Sequence, residues 1–255
     1  MDLVYPPVTV AARTIFRLMD MRITVTGGER VPRRGGALLV SNHVSFLDFI
    51  FVGLAARQSR RRVRFMAKQE VFAHRVSGPL MRGMHHISVD RDAGLASFAV
   101  AIDALRAGEV VGIFPEATIS RSYTVKPIKS GAVRLAQRAE APLLPVALWG
   151  GQRILTKGHP RDLTRHRPIS IAVGEPMHPG PQDDAVRLTA QLRTTMQALL
   201  EGLQRGHPDQ PVPGEPAPWH PAHLGGTAPT PEEALLLDRA ERKAKIAEKR
   251  AARGV

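Results

Sequence analysis

The sequence predicts an α/β protein: a mixed, mostly parallel central sheet flanked by helices, preceded by an amphipathic helix and followed by a Pro-rich and then helical tail. Between Ala37 and about Arg205, short apolar runs rich in branched residues alternate with runs of helical period, the pattern of a layered sheet-and-helix architecture. Beyond Gly206 that alternation stops and Pro and Gly dominate. With 255 residues and 43% hydrophobic content, the chain is long enough to bury a sizeable core.

The N-terminal segment, residues 1–28, contains "PVTVAARTIFRLMDM", which places Val8, Ala11, Ala12, Ile15, Phe16 and Met19 at helical spacing with Arg13 and Arg17 toward the other side. Two readings stand for this helix: it lies flat on an anionic bilayer, or it packs on its own domain. No stretch reads as a secretion signal or a membrane span. The main domain is expected over 29–206, with buried strands at "ALLV" (37–40), "ISV" (87–89), "VVGIF" (110–114), "LLPVALW" (143–149) and "ISIAV" (169–173). Helices are expected at "AGLASFAVAIDALRAG", "SGAVRLAQRA" and "DDAVRLTAQLRTTMQALLEGL". Residues 207–231 are a Pro/Gly-rich linker or wrapping segment. Residues 232–255 read as a charged helix or tail, acidic first and basic last, as a helix dipole prefers.

A formal net charge of +13 points to an anionic partner such as a phospholipid surface, nucleic acid or a phosphorylated substrate. Aromatics make up 5% and do not alternate with basic residues, so no single-strand stacking platform is visible and nucleic acid is not the expected partner. The absence of cysteine excludes disulfides, thiolate metal sites and a cysteine nucleophile.

In "LLVSNHVSFLDFIFV" (38–52), His43 and Asp48 interrupt an otherwise apolar or small-polar run. On one continuous helix residues five apart sit about 140° round the axis, so the two meet only if a strand gives way to a helix between them. The acid then has two readings: it caps the helix from Ser45 onward, or it holds His43 in one tautomer as a base. Two further strand exits carry polar groups, Glu116 after "VVGIFP" and Asp90 and Arg91 after "ISV". Adjacent His85 and His86 lack the spacing of a metal site, and no metal is expected.

"NHVSFLD" resembles the first signature of the glycerophospholipid acyltransferase superfamily, and "FPEATIS" is similar to its third. The stretch from Gly83 through "ISVDR" resembles the second and "LLPVAL" the fourth, in the family's order, with "MAKQEVF" and "KPIKSGAVRLA" as companion matches. The tail "PWHPAHLGGTAPTPEEA" resembles that of members from high-GC Gram-positive bacteria. The resemblance implies a glycerol-3-phosphate acyltransferase-like sheet and transfer of a fatty acyl group from coenzyme A or acyl carrier protein to 1-acylglycerol 3-phosphate, giving phosphatidic acid. It implies no cofactor beyond the thioester donor; the insoluble substrate, the +13 charge and the N-terminal helix lead to the expectation of a peripheral or monotopic place on the cytoplasmic face of the membrane. By the same resemblance His43 is the general base and Asp48 its orienting acid, with Asn42 and Ser45 as supports. Arg91 and Lys68 are the first candidates for the acceptor phosphate and Lys129 a weaker one, while Glu116 and Thr118 position the acceptor. Where the family usually has Gly and a phosphate-binding Arg, this sequence has Ala117 and Ile119, and Arg121 is the candidate stand-in. Competing readings are acylation of another lysolipid or glycolipid, and a non-catalytic basic protein that binds membranes.

Overall fold

The computed structural model describes residues 3–90 and 94–251. A seven-stranded sheet comprises β1 (Arg22–Thr26), β2 (Ala37–Ser41), β3 (Val63–Lys68), β4 (Ile87–Val89), β5 (Val110–Ile113), β6 (Leu143–Trp149) and β7 (Pro168–Val173), in the order β1-β7-β6-β2-β5-β3-β4. The β6–β7 pairing is antiparallel and the other pairings are parallel, so the expected mixed, mostly parallel α/β sheet is present. Around it lie α1 (Tyr5–Leu18), α2 (Asp48–Ala55), α3 (Gln69–Ala73), α4 (Ser77–Gly83), α5 (Gly94–Arg106), α6 (Gly131–Ala139), α7 (Ala185–Arg205) and α8 (Pro231–Ala251).

All seven residues of β6 and all five of β2 are buried, because helices cover both faces of the sheet. Along β2 the pleat sends Leu38 and Val40 to the side of α5, α6 and α7, where they meet Leu105, Val133 and Met196. Ala37 and Leu39 face the other way, toward Phe16 of α1 and Phe51 and Val52 of α2. Each fully buried Leu, Val or Phe contributes about 1.5–3 kcal/mol, which fixes the register of the central strands.

Two strands escaped the sequence pattern. In β1 burial alternates, as on an edge strand, and β3 carries Arg64 among its apolar residues. That arginine is buried but satisfied, donating to the Met84 carbonyl at 2.8 Å and lying 3.3 Å from Glu109. His85 and His86 precede β4 rather than lying in it; His85 is left-handed at φ +56°, and His86 Nδ1 accepts the Phe65 amide at 3.0 Å.

The parallel pairings of β2 with β5 and β6, and of β3 with β5 and β4, bring five strand exits to one edge of the sheet. In open α/β sheets that carboxyl edge is where ligands bind.

Candidate active site

The chain leaves β2 at Ser41, crosses an irregular stretch over residues 42–47 and enters α2 at Asp48. This break folds His43 back onto Asp48, and His43 Nδ1 lies 2.8 Å from Asp48 Oδ2. The same oxygen accepts the backbone N–H groups of Val44 at 2.6 Å and Ser45 at 2.8 Å. Asp48 thus braces the turn that leads into α2, whose own N-cap Leu47 has no side-chain cap, and contacts the imidazole with the same oxygen. With that oxygen acting as acceptor, Nδ1 carries the proton and Nε2 presents its lone pair. Burial pushes the Asp48 carboxyl above the usual carboxylate range, against the opposing pull of His43 and the two amides.

From the neighbouring exit of β5, Glu116 reaches His43 by its backbone, accepting the His43 N–H at 3.1 Å. Burial pushes the Glu116 carboxyl up to about 8, against the pull of the His43 and Lys126 amides and the Lys126 charge. The Ser120 amide donates to the His43 carbonyl at 2.7 Å, so the segment after β5 grips the histidine backbone on both sides. Phe114 stacks on the imidazole with centroids 4.5 Å apart, and Phe65 stacks on Phe114 at 5.9 Å. Phe65 also lines a cavity of about 550 Å³ beneath α1, walled by Phe16, Phe49 and Met81, with Arg57, Arg60 and Arg62 also lining it.

An acyltransferase family model matches residues 22–149, the span that holds β1 through β6 and both His43 and Asp48. The 1-acyl-sn-glycerol-3-phosphate acyltransferase of Bacillus subtilis is 31% identical over 187 residues, covering 72% of this chain and 85% of that protein. The chain belongs to the acyltransferase family. The enzyme of that name from Limnanthes douglasii is 33% identical over 155 residues, but that match spans only 52% of the plant protein. In fold, the acyltransferase is similar to the crystal structure of the 1-acyl-sn-glycerophosphate acyltransferase of Thermotoga maritima, with a TM-score of 0.63 and 21% identity over 76% of this chain and 77% of that one.

The remaining residues named from the sequence are held by several different elements. Asn42 is buried and ties the exit of β2 to β6, donating to the Leu148 carbonyl at 3.1 Å and accepting the Leu148 amide at 2.8 Å. Ser45 donates to the Leu155 carbonyl at 2.7 Å and so anchors the loop that follows β6. Thr118 accepts a hydrogen bond from Lys157 at 2.7 Å. Ala117 adopts φ +59°, the left-handed region that explains why the family usually has glycine there. Ile119 is buried, so the position usually filled by arginine points into the core. Arg121 is engaged by Glu241 and Asp238 of α8. Lys68 is exposed at the end of β3 and Lys129 is exposed just before α6. Arg91 lies outside the described residues.

Sequence reasoning missed Lys157 and Thr156. Thr156 donates to the Val44 carbonyl at 2.7 Å, so the loop after β6 braces the turn between His43 and Asp48. Neither residue belongs to a signature, and their role follows from the adjacency of β2 and β6. Among the described residues no group of three or more His, Cys, Asp or Glu side chains is placed to hold a metal ion.

Proposed function

We propose that this acyltransferase moves a fatty acyl group from a coenzyme A or acyl-carrier-protein thioester to the free hydroxyl of 1-acylglycerol 3-phosphate, forming phosphatidic acid. The observation that carries the reading is the His43–Asp48 pair at the carboxyl edge of the sheet, with Nδ1 held 2.8 Å from a carboxylate oxygen that two amides already fix. His43 Nε2 takes the proton of the acceptor hydroxyl as its oxygen attacks the thioester carbonyl. The C–S bond then breaks, and the imidazolium returns the proton to the departing thiolate. Ester and thiol are the products, and no cofactor is needed. Asp48 stabilises the transient imidazolium, and general base catalysis of this kind contributes about 10²- to 10⁴-fold. Lys68, Arg91 and Arg121 supply positive charge for the acceptor phosphate, with Lys129 in a lesser part.

The apolar cavity beneath α1 suits an acyl chain, and the arginines along it suit an anionic headgroup. Leu3, Val10, Ile15 and Leu18 are exposed in and beside α1, which supports a peripheral position on an anionic, cytoplasmic membrane surface. No helix among the described residues is long and apolar enough to cross a membrane.

The test is release of free coenzyme A from palmitoyl- or oleoyl-coenzyme A with 1-acylglycerol 3-phosphate as acceptor. Wild type is expected to show acceptor-dependent release, and His43→Ala to lose at least about 10²-fold of it. Equal rates in the two proteins would remove His43 from the chemistry. No release with either this donor or an acyl-carrier-protein donor would reject the proposed acceptor.

A further inference from the structure

The contact between Lys157 and Thr118 belongs to a cluster of which only Arg121 has a part in the proposed function. Arg121 and Lys157 both donate to Glu241 Oε2, each at 3.0 Å. Lys126 pairs with Asp238, whose other oxygen lies 3.5 Å from Arg121 and 3.9 Å from Lys157. Three cations from outside α8 thus share two carboxylates, and Lys245 of α8 itself pairs with the other oxygen of Glu241 at 2.5 Å.

The cations stand on a fixed floor. Gln197 accepts the Val125 amide at 2.8 Å, Arg193 donates to the Val125 carbonyl at 3.1 Å, and Gln204 donates to the Tyr123 carbonyl at 2.8 Å, so α7 clamps the loop that carries Arg121 and Lys126. This floor adjoins the candidate active site through Ser120, which holds the His43 carbonyl, and through Thr156, the neighbour of Lys157, which holds that of Val44.

The carboxylates are held differently. They arrive on α8, beyond the Pro/Gly-rich segment, and among the described side chains of that helix all but Ala234, Asp238 and Glu241 are exposed. One alanine and two carboxylates, at positions i, i+4 and i+7, dock the helix. These side chains are only 14–26% exposed, so the ion pairs are partly buried, and they hold a helix that offers little apolar area besides.

Two carboxylates carry the charge of one phosphomonoester, about −1.5 to −2 at neutral pH. Ile119 is buried where the family usually has its arginine, so a phosphate arriving beside Thr118 meets Lys157, which shares its two carboxylates with Arg121 and Lys126. We propose that Lys126 and Lys157 join Arg121 in the subsite for the acceptor's phosphomonoester, and that Asp238 and Glu241 occupy it until the acceptor displaces them. This inference rests on the acceptor proposed above. Coenzyme A also carries a phosphomonoester, and the kinetic arm separates the two sources.

The experiment compares full-length wild type, Lys157→Ala, Asp238→Asn/Glu241→Gln and the triple combination, with thermal midpoints confirming that each is folded. Glycerol 3-phosphate binding is measured by calorimetry, and KM for acyl-coenzyme A and for 1-acylglycerol 3-phosphate in turnover. The double variant is expected to bind glycerol 3-phosphate about tenfold more tightly than wild type or better, and the triple variant to lose that gain. Lys157→Ala should raise the acceptor KM about tenfold and leave the donor KM unchanged. Equal binding by wild type and the double variant would overturn occupancy by α8. A rise in the donor KM alone would overturn the assignment to the acceptor. Turnover with an acceptor KM indifferent to Lys157 would sink the subsite while leaving the proposed reaction intact. A Lys157-dependent binding gain without turnover would support the occluded anion site and sink the reaction instead.

Discussion

Glu116 places an acidic side chain where charge is disfavoured: it is buried, and Oε2 has no hydrogen-bond partner among the described residues. Its carboxyl is pushed up to about 8 from an ordinary 4.5. Between those values the native state keeps a proton that the unfolded chain has released, so stability falls as pH rises through that window. At about 1.4 kcal/mol per pH unit, the loss amounts to a few kcal/mol by pH 8. Glu116→Gln removes the titration, and its urea midpoint should change less between pH 5 and pH 8.5 than that of wild type. Parallel declines in the two proteins would show that Glu116 is already ionised in the folded state. His43 and Glu116 were legible in the sequence because each stands just past a strand exit in a short motif, and Asp48 because it opens the helix that follows. Lys157 was not, since its partners Thr118 and Glu241 lie 39 and 84 residues away and no local pattern records that distance.

At the scale of elements, β5 shows how packing far from the polar groups still positions them. Gly112 pairs in register with Phe65 of β3, and a Cβ added there would meet the Phe65 ring at 2.5 Å and Val63 Cγ1 at 2.8 Å. Because Phe65 stacks on Phe114 and Phe114 on His43, the space left by this glycine sets the height of the aromatic stack beneath the imidazole. Gly112→Ala is expected to cost about 1–3 kcal/mol through overpacking, read as a lower urea midpoint. Activity should drop by more than the folded fraction explains. An unchanged midpoint would mean that β3 and β5 separate without penalty. Central strands such as β6 could be read from sequence because burial on both faces makes them continuously apolar. The arginine within β3 and the half-exposed alternation of β1 hid those two strands, since tertiary partners rather than local pattern decide them.

For the molecule as a whole, α1 carries two apolar faces. Phe16 is buried and stacks on Phe51 at 5.3 Å, and the Tyr5 hydroxyl accepts the Val63 amide at 3.1 Å, so one face is part of the core. The other face presents Val10, Ile15 and Leu18 to solvent, while Arg13, placed opposite the apolar stripe in the sequence reading, lines the cavity beneath the helix. Removing α1 entirely would therefore confuse loss of membrane contact with loss of fold. Val10→Ser/Ile15→Ser/Leu18→Ser leaves the buried face intact and tests the exposed one. Under the proposed membrane contact, attraction of the +13 net charge to anionic vesicles acts through a field that salt screens within about 8 Å at physiological ionic strength. Apolar insertion is not screened. Wild type should thus keep a salt-resistant fraction of binding to phosphatidylglycerol vesicles at 0.5 M NaCl, and the triple variant should lose about tenfold of that fraction while keeping its thermal midpoint. Equal salt-resistant binding by the two proteins would place the membrane contact elsewhere, with the arginines around the cavity the next surface to substitute.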